Sequence, residues 1–192
     1  MMTRSLALLF VSAALFASTP TMAKYRGASS SPNHADAIHP LNHHHAASKL
    51  RVVAPAPTPD EYLVPHNTYR AAHGAAPLTW SPTLTASAQA WADGCKFTYS
   101  GPGENIAAGS GEAFGPANAV KMWADEAAKY SPGVQRPSLF TQLVWKDTTE
   151  VGCAVASCDG IFDIKYGKAS FHVCHYNPPG NVVGQFSENV QP

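Results

Sequence analysis

Four cysteines, Cys95, Cys153, Cys158 and Cys174, constrain this chain more than any other feature. Their number is even, and none precedes Cys95, at the middle of the chain. Such usage reads as a disulfide framework assembled in an oxidising compartment. Four cysteines allow three connectivities, and spacing alone does not choose among them. A zinc site is the competing use. It is disfavoured because Cys153 and Cys158 are separated by four residues and no C-x-x-C pair occurs.

The beginning of the chain agrees with export. Arg4 closes a short basic start, Leu6 to Ala17 is an apolar to weakly polar run, and Thr21-Met22-Ala23 supplies small residues for cleavage. These are the three parts of a secretory signal, expected over residues 1–23. The run is too short to cross ~30 Å of hydrocarbon, so no membrane span is expected. Residues 24–57 are rich in Ser, Ala, Pro and His and poor in large apolar side chains. They cannot bury enough surface to offset the entropy of ordering, which predicts a flexible tail. Five histidines between His34 and His45 could hold Zn²⁺ or Cu²⁺ when deprotonated, but a solvated linker needs no fixed ligand geometry and is the preferred reading.

Residues 58–192 then form one domain, long enough for one core and not for two. From Thr58 onward there are eight Lys/Arg against twelve Asp/Glu, a mildly acidic balance with no electrostatic footprint for nucleic acid. Helices are predicted from Pro65 to His73, from the Ser81-Pro82 cap through Leu84, Ala88 and Trp91 to Gly94, and from Pro116 through Val120, Trp123, Ala127 and Tyr130. Beyond Ser131-Pro132-Gly133 the pattern becomes extended. Leu143–Trp145, Val151–Ala156, Ile161–Tyr166 and Ser170–His175 are short β-branched and aromatic segments, with Asp159-Gly160 suited to a turn. Helices first and strands later predict an α+β domain.

Four segments carry a family signature: His66-Asn67-x-x-Arg70, Gly103-Glu104-Asn105-Ile106, Phe140-Thr141-Gln142-Leu143-Val144-Trp145, and Cys174-His175-Tyr176-Asn177-Pro178-Pro179-Gly180-Asn181. Read together, they resemble the CAP superfamily, which includes plant pathogenesis-related 1 proteins, insect antigen 5 and cysteine-rich secretory proteins. The resemblance runs from about Pro59 to Phe186 and is strongest to the pathogenesis-related 1 type, fungal members included. It implies a three-layer α-β-α sandwich with a central antiparallel sheet, and the disulfides Cys95–Cys158 and Cys153–Cys174.

The resemblance also implies a cleft lined by two histidines and two glutamates, able to hold a divalent metal. Glu104 and Glu126 match the glutamates, but Tyr99 and Leu139 stand where the histidines should be. Leucine offers no ligand or base, and a phenol stays protonated near neutral pH. No metal, no cofactor and no catalysis are therefore expected, and the four residues read as remnants of the family's cleft. His66, His172 and His175 read as structural. Related fungal and plant proteins are associated with sterols, and some members with fatty acids held between two helices. The equivalent sterol loop here is Tyr130, Ser131, Pro132, Gly133, Val134, Gln135, Arg136 and Pro137. The fatty-acid route would use the facing sides of the first helix and the Trp123 helix. The expectation is a secreted, extracellular protein binding a sterol or fatty-acid-like small molecule. The alternative is recognition of a host or cell-surface protein, as an effector without a lipid ligand.

Overall fold

The structure, a computed structural model, describes residues 55–111 and 114–191; the expected signal and the tail up to residue 54 lie outside the described residues. Helix α1 runs Pro59–Ala72, six residues earlier than the expected start at Pro65. The reason is a cap further upstream. The Glu61 carboxylate accepts from the Thr58 backbone N–H at 2.6 Å, and Pro59 occupies the first turn, where its missing N–H costs nothing. Pro65 therefore lies inside the helix and forfeits one backbone bond. Tyr62, His66 and Arg70, spaced at four residues, form the buried stripe that keeps the helix in place.

Strand β1 (Thr79–Trp80) leads into α2 (Pro82–Ala92), which starts at the Ser81-Pro82 cap as its sequence predicts. Strand β2 (Glu104–Ser110) follows, then α3 (Pro116–Ala124), which tightens into a 3₁₀ turn over Asp125–Lys129. A short helix α4 (Leu139–Leu143) precedes β3 (Glu150–Cys158) and β4 (Ala169–Asn177), and α5 (Phe186–Asn189) ends the described chain.

Two expected strands are absent. Leu143–Trp145 lies at the end of α4 because Ser138 caps that helix, accepting from Thr141 N–H at 3.0 Å. The Leu143 and Trp145 carbonyls find the Arg70 guanidinium, at 3.0 and 2.8 Å, instead of a neighbouring strand. Ile161–Tyr166 lies in the β3–β4 connection, beyond the end of the paired strands, with a 3₁₀ turn at Ile164–Tyr166.

The sheet has four strands in the order β1-β3-β4-β2. β4 pairs antiparallel with both neighbours, but the short β1 runs parallel to β3, so the sheet is mixed rather than purely antiparallel. Alternation along β4 separates two cores. Phe171 and Val173 face α2 with Ala88, Ala92 and Ile106, whereas Cys174 and Tyr176 join Tyr62, Val120, Trp123 and Phe140 beneath α1, α3 and α4. The result is a three-layer α-β-α sandwich. Gly152 lets α2 sit directly on β3: an added Cβ would fall 2.2 Å from the Thr85 amide nitrogen. Disulfides join Cys95 to Cys158, near the end of α2, and Cys153 to Cys174 across β3 and β4. Among the described residues, no helix is long and apolar enough to cross a membrane.

Candidate functional site

A cleft of about 690 Å³ opens where β2 begins. Gly103 turns the chain into that strand with φ +71°, and a Cβ there would come within 2.9 Å of the Tyr176 carbonyl oxygen. Only glycine fits this approach. Its own carbonyl accepts from Tyr176 N–H at 2.8 Å, which fixes the two residues that follow.

Glu104 and Asn105 reach the cleft from this turn, and both are buried. The Glu104 Oε2 accepts from the Ser100 N–H at 2.8 Å and from the Ser100 hydroxyl, and lies 3.4 Å from His175 Nε2. Burial alone would raise the Glu104 carboxyl, but the hydrogen bonds from His175 and Ser100 outweigh it and hold the group below its ordinary range. The Asn105 side-chain amide donates to the Leu139 carbonyl at 2.9 Å and to the Tyr176 hydroxyl at 3.3 Å. Glu126, from the 3₁₀ turn after α3, accepts from Leu139 N–H at 2.8 Å. Leu139 is thus clamped through its main chain at both ends.

Tyr99 completes the set and remains 57% exposed. Partial burial, then the charges of Glu126 and Glu104, raise its phenol above the ordinary value. The structure therefore brings Tyr99, Glu104, Glu126 and Leu139 to one cleft.

The loop after α3 supplies a second wall. Tyr130, Ser131, Val134, Arg136 and Pro137 line the cleft; Pro132, Gly133 and Gln135 belong to the loop but not to the lining. Gln135 instead accepts from Gly184 N–H, tying the loop to the C-terminal segment. Tyr130 packs on Phe140, with ring centroids 5.8 Å apart.

Sequence reasoning assigned no site role to Gln142, Gly180, Asn181 or Lys129, which also line the cleft. The first three fall within the recognised motifs, so the signal was present. Gln142 Oε1 accepts from Gly180 N–H at 2.8 Å, and Asn181 Nδ2 donates to the Ser138 carbonyl at 3.1 Å. These bonds hold the C-terminal motif against α4.

Three of the four domain histidines, His66, His172 and His175, serve different networks. His66 is fully buried, with Nδ1 2.7 Å from the Tyr62 carbonyl and Nε2 2.8 Å from the Tyr176 hydroxyl; burial pushes its pKa down to about 4. His172 Nδ1 lies 2.8 Å from the Tyr62 hydroxyl, and burial lowers its pKa too. His175 faces α2, with Nδ1 2.7 Å from the Ser87 hydroxyl. A second, more open groove of about 510 Å³ lies between the outer parts of α1 and α3, lined by Asp60, Glu61, Val64, Pro65 and Pro116 among others. The inward faces of the same helices, with Tyr62, His66, Val120 and Trp123, pack as core.

Known proteins share this architecture. The solved structure of hookworm platelet inhibitor superposes with a TM-score of 0.53 at 24% identity, covering 63% of this chain and 69% of that one. The crystal structure of MpPR-1i gives 0.53 at 22% identity, covering 71% and 99%. In sequence, pathogenesis-related protein PR-1 of Medicago truncatula is 39% identical over 138 residues, spanning 66% of this chain and 76% of the relative. Protein PRY2 of Saccharomyces cerevisiae is 41% identical over 138 residues, but the match spans only 39% of that longer protein and 66% of this chain. The family profile of the CAP, or cysteine-rich secretory protein, family matches residues 63–176. This chain belongs to the CAP family.

Proposed function

We propose that this chain is a secreted, pathogenesis-related 1-like CAP protein whose cleft holds a sterol or another small hydrophobic molecule. The observation that carries the reading is a set of apolar side chains within an otherwise polar cleft lining. Tyr130, Val134 and Pro137 contribute to it from the loop, with Tyr99 and Leu139 in the same lining. Val134 is 52% exposed, so it presents apolar surface that a ligand would cover. A volume of about 690 Å³ falls within the range of small-molecule sites.

A divalent metal does not fit these residues. The cleft offers the carboxylates of Glu104 and Glu126 without an imidazole in its lining. Among the described residues, one cluster of potential donors is dense enough for an ion: His66 with Cys153 and Cys174. Both of its sulfurs are consumed in a disulfide, and both His66 nitrogens are hydrogen-bonded. Catalysis has little support either. His175 contacts Ser87 and Glu104, but neither His175 nor Ser87 lines the cleft.

Protein recognition is the second reading, favoured by the β3–β4 connection. Ile164 is 95% exposed there, beside Tyr166 at 59%. Equilibrium binding of labelled cholesterol and of a labelled fatty acid separates the two. Saturable sterol binding that is weakened by Tyr130→Ala and Val134→Asp supports the cleft. Saturable binding of neither probe refutes lipid carriage and leaves protein recognition.

A further inference from the structure

The floor of the cleft is short of hydrogen-bond donors. Glu104 is 7% exposed and Asn105 is 1% exposed, and both line the cleft. Among the described residues, Glu104 Oε1 and Asn105 Oδ1 are the buried side-chain polar atoms without a protein partner. The orientation of the Asn105 amide is fixed, because its nitrogen faces the Leu139 carbonyl, which can only accept. Its oxygen is therefore the atom left over. Natural structures seldom leave buried polar groups unpaired, and two neighbouring residues with the same deficiency define a chemical demand.

Both orphan atoms are acceptors, and only an N–H or O–H from outside the chain can satisfy them. Glu126 adds a second carboxylate to the same lining, with one oxygen already on the Leu139 amide. The positive side chains of the lining, Lys129 and Arg136, are both exposed, so they stand at the rim. Charge is thus sorted by depth, with anions and acceptors below and cations above.

We infer that the ligand enters with a hydrogen-bond-donor head at the floor of the cleft, and that heads rank ammonium over hydroxyl over carboxylate. The inference rests on the small-hydrophobic-ligand reading and narrows it. A hydroxyl supplies one donor. An ammonium supplies three and also meets the carboxylate charge. A carboxylate supplies none and is repelled by Glu104 and Glu126. The apolar tail lies along Tyr99, Val134 and Leu139.

The test uses three probes with one tail: dodecylamine, dodecanol and dodecanoate, titrated against the protein at neutral pH by calorimetry. Dodecylamine should bind about tenfold or more tighter than dodecanoate, with dodecanol between them. Glu104→Gln keeps the side-chain shape but turns one acceptor into a donor, so it should shrink or reverse that ratio. Its melting curve reports whether the variant folds. Glu126→Gln, which leaves the Ser100 and His175 contacts of Glu104 untouched, should reduce the ratio in the same direction. Dodecanoate binding as tightly as dodecylamine overturns the inference. Equal binding of all three, unchanged by either variant, removes the head-group rule while the cleft reading survives. Binding of none of them overturns the inference, and cholesterol binding then decides by itself whether the cleft reading survives.

Discussion

Acidification should destabilise this domain through one histidine. His66 is fully buried between α1 and Tyr176, and burial depresses its pKa from 6.5 to about 4. Below pH 6.5 the unfolded chain takes up a proton that the folded chain refuses. The unfolded state then binds more protons, so stability falls as pH falls. The loss should accumulate between 6.5 and about 4 and level off below, where both states are protonated. Its full size is about 3 kcal/mol, a large part of the stability of an ordinary domain. His172, also lowered by burial, adds to the loss in the same direction. The assay is urea denaturation at a series of pH values, on the native sequence and on His66→Gln. The variant should start less stable at neutral pH, because it loses packing and hydrogen bonds, but its curve should be flatter across the window. Parallel curves for the two proteins between pH 6.5 and 4 would refute the assignment.

Arg70→Met should cost on the order of 5 kcal/mol in a denaturant titration, because it strips donors from the buried carbonyls of Leu143, Trp145 and Thr148 and from that of Ala76. A cost below about 1 kcal/mol would mean that water replaces the guanidinium. Replacing Cys153 and Cys174 together by alanine, which opens a sequence separation of 21, should remove about 3 kcal/mol in the chain-entropy model, read as a lowered urea midpoint. The double variant Tyr99→His, Leu139→His should gain one saturable zinc site by calorimetry beyond any that the native sequence binds through its histidine-rich tail; an unchanged zinc stoichiometry would refute the reading of the cleft as one that lacks only its imidazoles.

The parts of the fold legible from sequence were those with a local cause. Ser81-Pro82 starts α2 because cap and proline act within one turn, and the helical spacing of Val120 and Trp123 marks α3 in the same way. The failures have non-local causes. β2 is made of Glu-Asn-Ile-Ala-Ala-Gly-Ser, with little β-branched character, and is a strand because β4 pairs along its full length. Leu143–Trp145 has strand-like residues but meets Arg70, distant in sequence, before any strand. The cleft was legible as a set of motif positions, whereas its chemistry was not. Leu139 is a lost imidazole on paper; folded, its peptide groups join Glu126 to Asn105. His175 beside Cys174 gives no hint in sequence of its contact with Glu104, which follows only once β2 and β4 lie together.

Cys153 and Cys174 face each other directly in the pairing of β3 with β4. A slip of one residue in such a pair would turn every side chain to the opposite face. The covalent bond outlives unfolding, so the oxidised chain keeps these two residues opposed even when nothing else is formed. Of all the alignments open to the hairpin, it has discarded nearly every wrong one before folding begins. A reduced chain has no such memory and must find the alignment by collision, with its strand edges open to other chains meanwhile.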